Sequence, residues 1–337
     1  MGYKQKFVLA ITAAVITLLL VGCGLSYYPE TKLAVSDEYM EASAPAAEHN
    51  TDISSAESTG ITAELPEESL PKEPWHTVSQ LIYHACGGID GVSYTNSKEA
   101  LEATLSRGNM LVEVDFLFTE DGHLICGHKW SDIIPVEESK KSNKKSKKTE
   151  ETVPEVKCTL DVFETLKIKG NYTGLTGENI ISYMDENPDL YIIIDTKEEN
   201  LDLVIMELLR LCDYRKEISD RFVIQLYDRD QKKEIMELYP FPEDNFLFTC
   251  YKFDPVRVEE ILQICDAEQI RVVTVAAGSW PPETVSLFLE KGIVLFEHTV
   301  NVAEEAVLSL QNGIYGFYTD FLQESELNDL IYQKMEQ

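Results

Sequence analysis

From residue 78 onward the chain repeats one pattern: a short apolar run, then a stretch with helical spacing. The apolar runs fall at 80–84, 110–118, 190–196, 221–226, 245–250, 270–275, 293–298 and 315–319. Helical spacing marks 97–106, 201–212, 231–239, 255–266, 282–291 and 303–311. Short buried strands that alternate with helices predict a parallel sheet joined by crossover helices. Eight such strands within about 260 residues predict a (β/α)8 TIM barrel, an α/β fold. A doubly wound open sheet shares the alternation and is the alternative. The strand count and even spacing favour the barrel.

A barrel of this kind carries its chemistry at the C-terminal ends of the strands. The residues that end the predicted strands are unusually polar: His84, Glu113, Asp115, Asp195, Lys197, Gln225, Tyr227, Tyr251, His298 and Asp320. Glu113 and Asp115 stand two apart in LVEVDF, so both face one side of the strand, with Val112, Val114 and Phe116 on the other. Two carboxylates buried side by side repel unless a cation joins them. Asp195 and Lys197 repeat the spacing at the end of YIIIDTK. Three carboxylates and a lysine at one barrel mouth suit a hard cation and a phosphate; salt bridges along the rim are the plainer reading. His84 and His128 bracket the carboxylate pair in sequence, and histidine is the side chain suited to proton transfer near neutral pH. Taken singly, a histidine is more often a satisfied structural residue; the two together, bracketing Glu113 and Asp115, favour the chemical role.

The order His, Glu-x-Asp, His, Asp-x-Lys resembles the glycerophosphodiester phosphodiesterase family, within the superfamily of phosphatidylinositol phospholipase C-like phosphodiesterases. HACGG, YTNSKEAL, EVDFLFTEDGHLICGH, YIIIDTK, FEHTVN and YGFYTDF carry the likeness, from residue 84 to residue 321. The resemblance implies an acid/base pair at His84 and His128. It implies one divalent cation, Mg or Ca, on Glu113, Asp115 and Asp195, and a phosphate contact at Lys197. Two positions depart from the family. Ala85 stands where the family has Arg directly after the first His, and Thr95-Asn96-Ser97 replaces Glu-Asn-Thr. The first departure removes a bidentate phosphate grip. Gln225, Tyr227, Tyr251, Trp280, His298 and Asn301 are expected to line the pocket, the first five as substrate contacts, and Asp320 is expected to be structural.

The chain has 29 Lys+Arg against 59 Asp+Glu, a net charge of −30. That balance excludes a nucleic-acid partner, which needs a basic face. It fits divalent-cation sites. Residues 1–23 read as a secretory signal: Lys4 and Lys6, an apolar run over 7–21, then Leu20-Val21-Gly22-Cys23. The ending resembles the bacterial lipoprotein box, which implies lipidation at Cys23 and a membrane anchor in the cell envelope, outside the cytoplasm. An uncleaved membrane helix is the alternative, although the run is short for a span. Residues 24–75 hold eleven acidic residues against Lys32 and Lys72 and lack any sustained period, which predicts a disordered tether. The folded domain is then expected over 76–337. One basic loop, 137–152, interrupts it with six lysines between Lys140 and Lys148. This loop reads as solvated or, alternatively, as a contact for anionic lipid. Cys86 and Cys126 each lie two residues from a key histidine, which leaves a bridge between them open; Cys212, Cys250 and Cys265 read as buried thiols.

The leading expectation is a monomeric, membrane-tethered phosphoric diester hydrolase. It would cleave a glycerophosphodiester to an alcohol and glycerol phosphate with one divalent cation and paired histidines. Phospholipase C- or D-like action on intact lipid is the alternative enzyme. A lipoprotein that binds an envelope phosphate polymer without cutting it is the alternative outside catalysis.

Overall fold

The computed structural model describes residues 74–134, 156–196 and 201–335. The lipidation position Cys23, most of the expected tether, the lysine-rich part of the basic loop and Lys197 lie outside the described residues. Eight parallel strands close into a barrel: β1 (Leu81–Tyr83), β2 (Leu111–Phe118), β6 (Tyr191–Thr196), β7 (Phe222–Leu226), β8 (Phe246–Cys250), β9 (Val272–Ala276), β10 (Val294–His298) and β11 (Gly316–Thr319). β1 pairs with both β11 and β2, which seals the sheet and rules out the open alternative. The eight strands lie where the apolar runs place them. β3 (Leu124–Cys126) adds antiparallel to β2, and β4 (Lys167–Ile168) and β5 (Tyr172–Thr173) form a separate hairpin.

Alternation along each strand divides the core into two layers. Even residues of β2 (Val112, Val114, Phe116) and of β6 (Ile192, Ile194) face the surrounding helices. The opposite faces fill the barrel. There Ile82, Leu111, Ile193, Val223, Leu247, Val272, Phe296 and Tyr318, one from each barrel strand, pack together over Trp75. Gly316 makes room for this layer: a Cβ there would come 2.5 Å from both the Gln80 carbonyl and the Phe296 ring. Above the layer the inward positions turn polar, so the same alternation that fills the barrel delivers charged groups to its mouth.

Helices α1 (Lys98–Ser106), α2 (Gly177–Glu186), α3 (Leu201–Leu211), α4 (Gln231–Leu238), α5 (Val258–Ala267), α6 (Pro282–Leu289), α7 (Ala303–Gln311) and α8 (Glu324–Met335) accompany the strands. α2 and α8 are additions to the sequence expectation. α2 starts on a capping box in which Thr176 and Asn179 satisfy each other's backbone N–H groups. Between β2 and α2 the chain builds a satellite core from Leu117, Ile125, Trp130, Ile133, Cys158, Phe163, Ile168 and Tyr172. No helix among the described residues is long and apolar enough to cross a membrane.

Trp75 plugs the barrel floor. It is 1% exposed, stacks on Phe296 at 6.2 Å and donates from Nε1 to the Asp244 carbonyl at 2.7 Å. The packed chain therefore starts at least one residue before the boundary expected at 76. Trp75→Ala is expected to cost about 3–5 kcal/mol through the void it leaves. Thermal denaturation should then show a melting temperature lower by about 10 °C; an unchanged value would mean that the floor closes without the indole.

Candidate active site

The side chains at the barrel mouth come from several strands and are fixed by partners distant in sequence. Glu113 and Asp115 project from β2. Asp195 projects from β6, in register opposite Asp115. One carboxylate oxygen from each of the three lies within 4.8 Å of the others, and all three residues are buried. Each carboxylate is also gripped from behind. Glu113 Oε2 accepts from the Ala85 backbone N–H at 2.7 Å. Asp115 Oδ2 accepts from Asn96 Nδ2 at 2.8 Å, while the Asp115 N–H donates to Asn96 Oδ1. Asp195 Oδ1 accepts from the Thr196 N–H and from the Tyr227 hydroxyl, both at 2.8 Å. Burial, then the nearby Asp195 charge, holds the Asp115 carboxyl above its usual range; Asn96, His84 and His128 oppose the rise. Three buried carboxylates brought this close fit a cation with oxygen ligands, and an all-oxygen donor set selects a hard one.

The histidines differ in their settings. His84 ends β1 and is 2% exposed, with Nδ1 2.9 Å from Asp320 Oδ1. Asp320 is itself held: Asn301 Nδ2 donates to its Oδ2 at 2.8 Å, and its N–H donates to Asn301 Oδ1 at 2.7 Å. Burial alone would raise the Asp320 carboxyl, but the hydrogen bond and charge of His84, with Asn301 and His298, bring it below the ordinary range. An ionised carboxylate only accepts, so His84 Nδ1 carries the hydrogen and Nε2 is the position free to gain or lose a proton. His128 follows β3 rather than β2, in the loop that opens the satellite core. Its Nδ1 lies 3.7 Å from Asp132, an ion-pair distance too long for a hydrogen bond, and its side chain is 28% exposed.

The remaining expected residues divide. Gln225 and Tyr227 act through Asp195: Gln225 Nε2 donates to the Tyr227 hydroxyl at 2.6 Å, and Gln225 Oε1 accepts from Tyr318 at 3.0 Å. His298 stands in the site, 4.6 Å from the His84 ring and 5.0 Å from that of Tyr251. Trp280 corrects the sequence reading. Its indole is 6% exposed and packs edge-to-face on Phe253 and Phe288, in the layer between strands and helices. It sits in a loop beyond β9, where strand alternation no longer dictates direction.

Tyr94 and the grip of Asn96 on Asp115 were not foreseen. Tyr94 touches the rings of both His84 and His128. Burial first, then the surrounding carboxylates, push its phenol up to about 12, so it remains neutral across the physiological range. Cys86 and Cys126 are buried neighbours but separate thiols, and burial pushes both well up. All six cysteines of the described residues are free.

No protein-family model matches this sequence, and no curated protein matches it. The fold, however, is shared with solved structures. A Silicibacter pomeroyi protein provisionally named a glycerophosphoryl diester phosphodiesterase superposes with a TM-score of 0.58 at 15% identity, over 76% of this chain and 94% of its own. A phosphodiesterase from Oleispira antarctica, solved in complex with the product sn-glycerol-3-phosphate, gives 0.56 at 14%, over 75% and 97%. A glycerophosphodiester phosphodiesterase from Thermotoga maritima gives 0.51 at 18%, over 76% and 98%. At such identities the likeness is one of fold.

Proposed function

We propose that the chain is a phosphoric diester hydrolase that cleaves glycerophosphodiesters to an alcohol and glycerol phosphate with the help of a divalent cation. The observation that carries the reading is the convergence of Glu113, Asp115 and Asp195 beside the Asp320-backed His84, at the mouth of a barrel whose fold is shared with phosphodiesterases. Glu113, Asp115 and Asp195 would hold Mg or Ca, and a bound cation of this kind polarises a phosphoryl oxygen and neutralises its charge. Asn96, the Ala85 N–H and Tyr227 each hold one oxygen of a carboxylate, which fixes how the three groups are presented to one another.

His84 is assigned as the base. Its Nδ1 hydrogen is committed to Asp320, so Nε2 takes the proton of the attacking oxygen while Asp320 steadies the imidazolium. His128, nearer the solvent, returns a proton to the departing alcohol. His298 and Tyr251 form an aromatic wall beside them. Ala85 is fully buried and offers only backbone groups, its N–H to Glu113 and its carbonyl to the Asn96 N–H, so the phosphate grip that the resemblance assigns to an arginine is not made from this position. We also take the chain to be anchored through Cys23 in the cell envelope and held off the membrane by 24–75; the support is the sequence pattern. A second reading, action on intact lipid, is favoured by apolar side chains on the loops that follow β8, β10 and β11: Val256 is 84% exposed, Val302 45% and Phe321 37%.

The test is direct. The chelator-stripped chain is offered glycerophosphocholine, glycerophosphoinositol and an aryl phosphodiester, with Mg or Ca restored. Cation-dependent release of alcohol and glycerol phosphate is expected; no release from any diester, with the cation bound, would end this reading in favour of lipid or polymer. Tyr227→Phe removes one hydrogen bond from Asp195 and is expected to weaken the cation by about 10–100-fold in a calorimetric titration. Equal affinity would show that the Tyr227 hydroxyl does not orient that ligand.

A further inference from the structure

Tyr94 stands between the two imidazoles that the proposed reaction uses. Its ring meets His84 edge-to-face, with centroids 4.2 Å apart and planes at 86°, and meets His128 at 5.3 Å and 73°. Edge-to-face contact at these separations is attractive and directional. The residue holds this place from an unusual backbone, with φ at +54°. The left-handed region costs a residue with a Cβ about 1–2 kcal/mol, so the position would ordinarily go to glycine. Asn96, two residues on, is also left-handed at +44°, and it supports Asp115 with two hydrogen bonds. One strained loop thus serves both the carboxylate cluster and the histidine pair.

The two histidines need that service unequally. His84 is buried and clamped by Asp320. His128 lies on a loop outside the barrel wall, and its ion pair among the described residues is the long one to Asp132, at 3.7 Å. Tyr94 links the loosely held ring to the rigid one. Its hydroxyl makes no hydrogen bond among the described residues, so the observed contacts belong to the ring. Acid and base on opposite sides of a phosphorus must keep a fixed separation, and a misplacement of about 1 Å can cost about a hundredfold in rate.

We propose that Tyr94 is a positioning residue whose aromatic ring, rather than its hydroxyl, sets the gap between His84 and His128. The inference rests on the reading of those histidines as the acid/base pair. Two variants of the whole chain separate the possibilities. Tyr94→Phe keeps the ring, and Tyr94→Gly removes it while relieving the backbone. With glycerophosphocholine and the restored cation, Tyr94→Phe is expected to keep kcat within about threefold, whereas Tyr94→Gly lowers kcat by about ten- to a hundredfold with KM within about twofold. In crystal structures of the two variants, the gap between the His84 and His128 rings is expected to change in Tyr94→Gly and hold in Tyr94→Phe. The positions of His76 and His123 serve as the internal reference, and a melting curve confirms that both variants fold. Wild-type kcat in Tyr94→Gly, or equal damage in both variants, would overturn the proposal. So would an unchanged gap in Tyr94→Gly. If the wild-type chain cleaves no diester, the hydrolase reading falls separately, and the gap alone decides whether Tyr94 sets the pair.

Discussion

Asp115→Asn is expected to lower turnover by about a thousandfold, the equivalent of several kcal/mol of lost charge stabilisation, while raising the stability of the metal-free protein. The two effects have one cause. Asp115 is 1% exposed and stands opposite Asp195 in the strand register. Burial, then the Asp195 charge, lifts its carboxyl above the ordinary range. The folded state therefore binds a proton at Asp115 more tightly than the unfolded chain does. In metal-free protein the contribution of Asp115 to stability falls as pH rises from the ordinary carboxylate value through the raised one. Asparagine has nearly the same shape, can still accept from Asn96 and carries no charge, so this fall should vanish in the variant. A cation reverses the balance. In the wild-type chain, binding at 100 times the dissociation constant adds about 2.7 kcal/mol, and the variant should lose most of that gain. Melting curves at pH 5 and pH 7, with and without Mg or Ca, read both terms. A variant that still gains stability from the cation, or that melts below the metal-free wild type at pH 7, would remove Asp115 from the ligand set.

The barrel was legible because strand alternation is a local signal. Each apolar run advertises its two faces, and the inward positions of eight runs supply the barrel-filling layer and the polar mouth alike. Glu113, Asp115 and Asp195 were legible for the same reason: their spacing within strands fixes their direction. What stayed hidden depends on the loops and on distance along the chain. His84 and Asp320 meet across 236 residues, and no pattern within either segment announces the pair. Tyr94 and Asn96 gain their directions from left-handed backbone, which is the habit of glycine and is not written in a tyrosine. Trp280 shows the converse error. At a strand end an indole that enters the barrel and one that enters the helix layer look alike in sequence, and here Phe253 and Phe288 claim it. Trp75 lies at the edge of the acidic segment, where composition suggests solvent and the open barrel floor demands a plug.

Asp320→Asn is expected to reduce kcat by about a hundredfold or more, approaching the loss of about 10²–10⁴ expected for His84→Ala. The size of the effect follows from hydrogen-bond bookkeeping. In the wild-type site Asp320 accepts on both oxygens, from His84 at 2.9 Å and from Asn301 at 2.8 Å. An asparagine offers one accepting end and one donating end. Its oxygen can satisfy the Asn301 amide only if its NH₂ faces His84 Nδ1, which forces the hydrogen of a neutral imidazole onto Nε2 and removes the base from the cavity. The opposite flip sets two NH₂ groups against each other. Because the Asp320 carboxyl is held below its ordinary range, the wild-type pairing persists through neutral pH. Its contribution to stability is present above the ordinary carboxylate value and is lost as pH falls through the lowered one. If Asp320 works only by directing His84, the double variant should be no slower than His84→Ala alone, since residues that act as a unit are not additive. Steady-state kinetics on the two single variants and the double variant decide the point. Multiplying losses would show that Asp320 acts elsewhere, and a near-wild-type Asp320→Asn would show that His84 does not need Nε2 free.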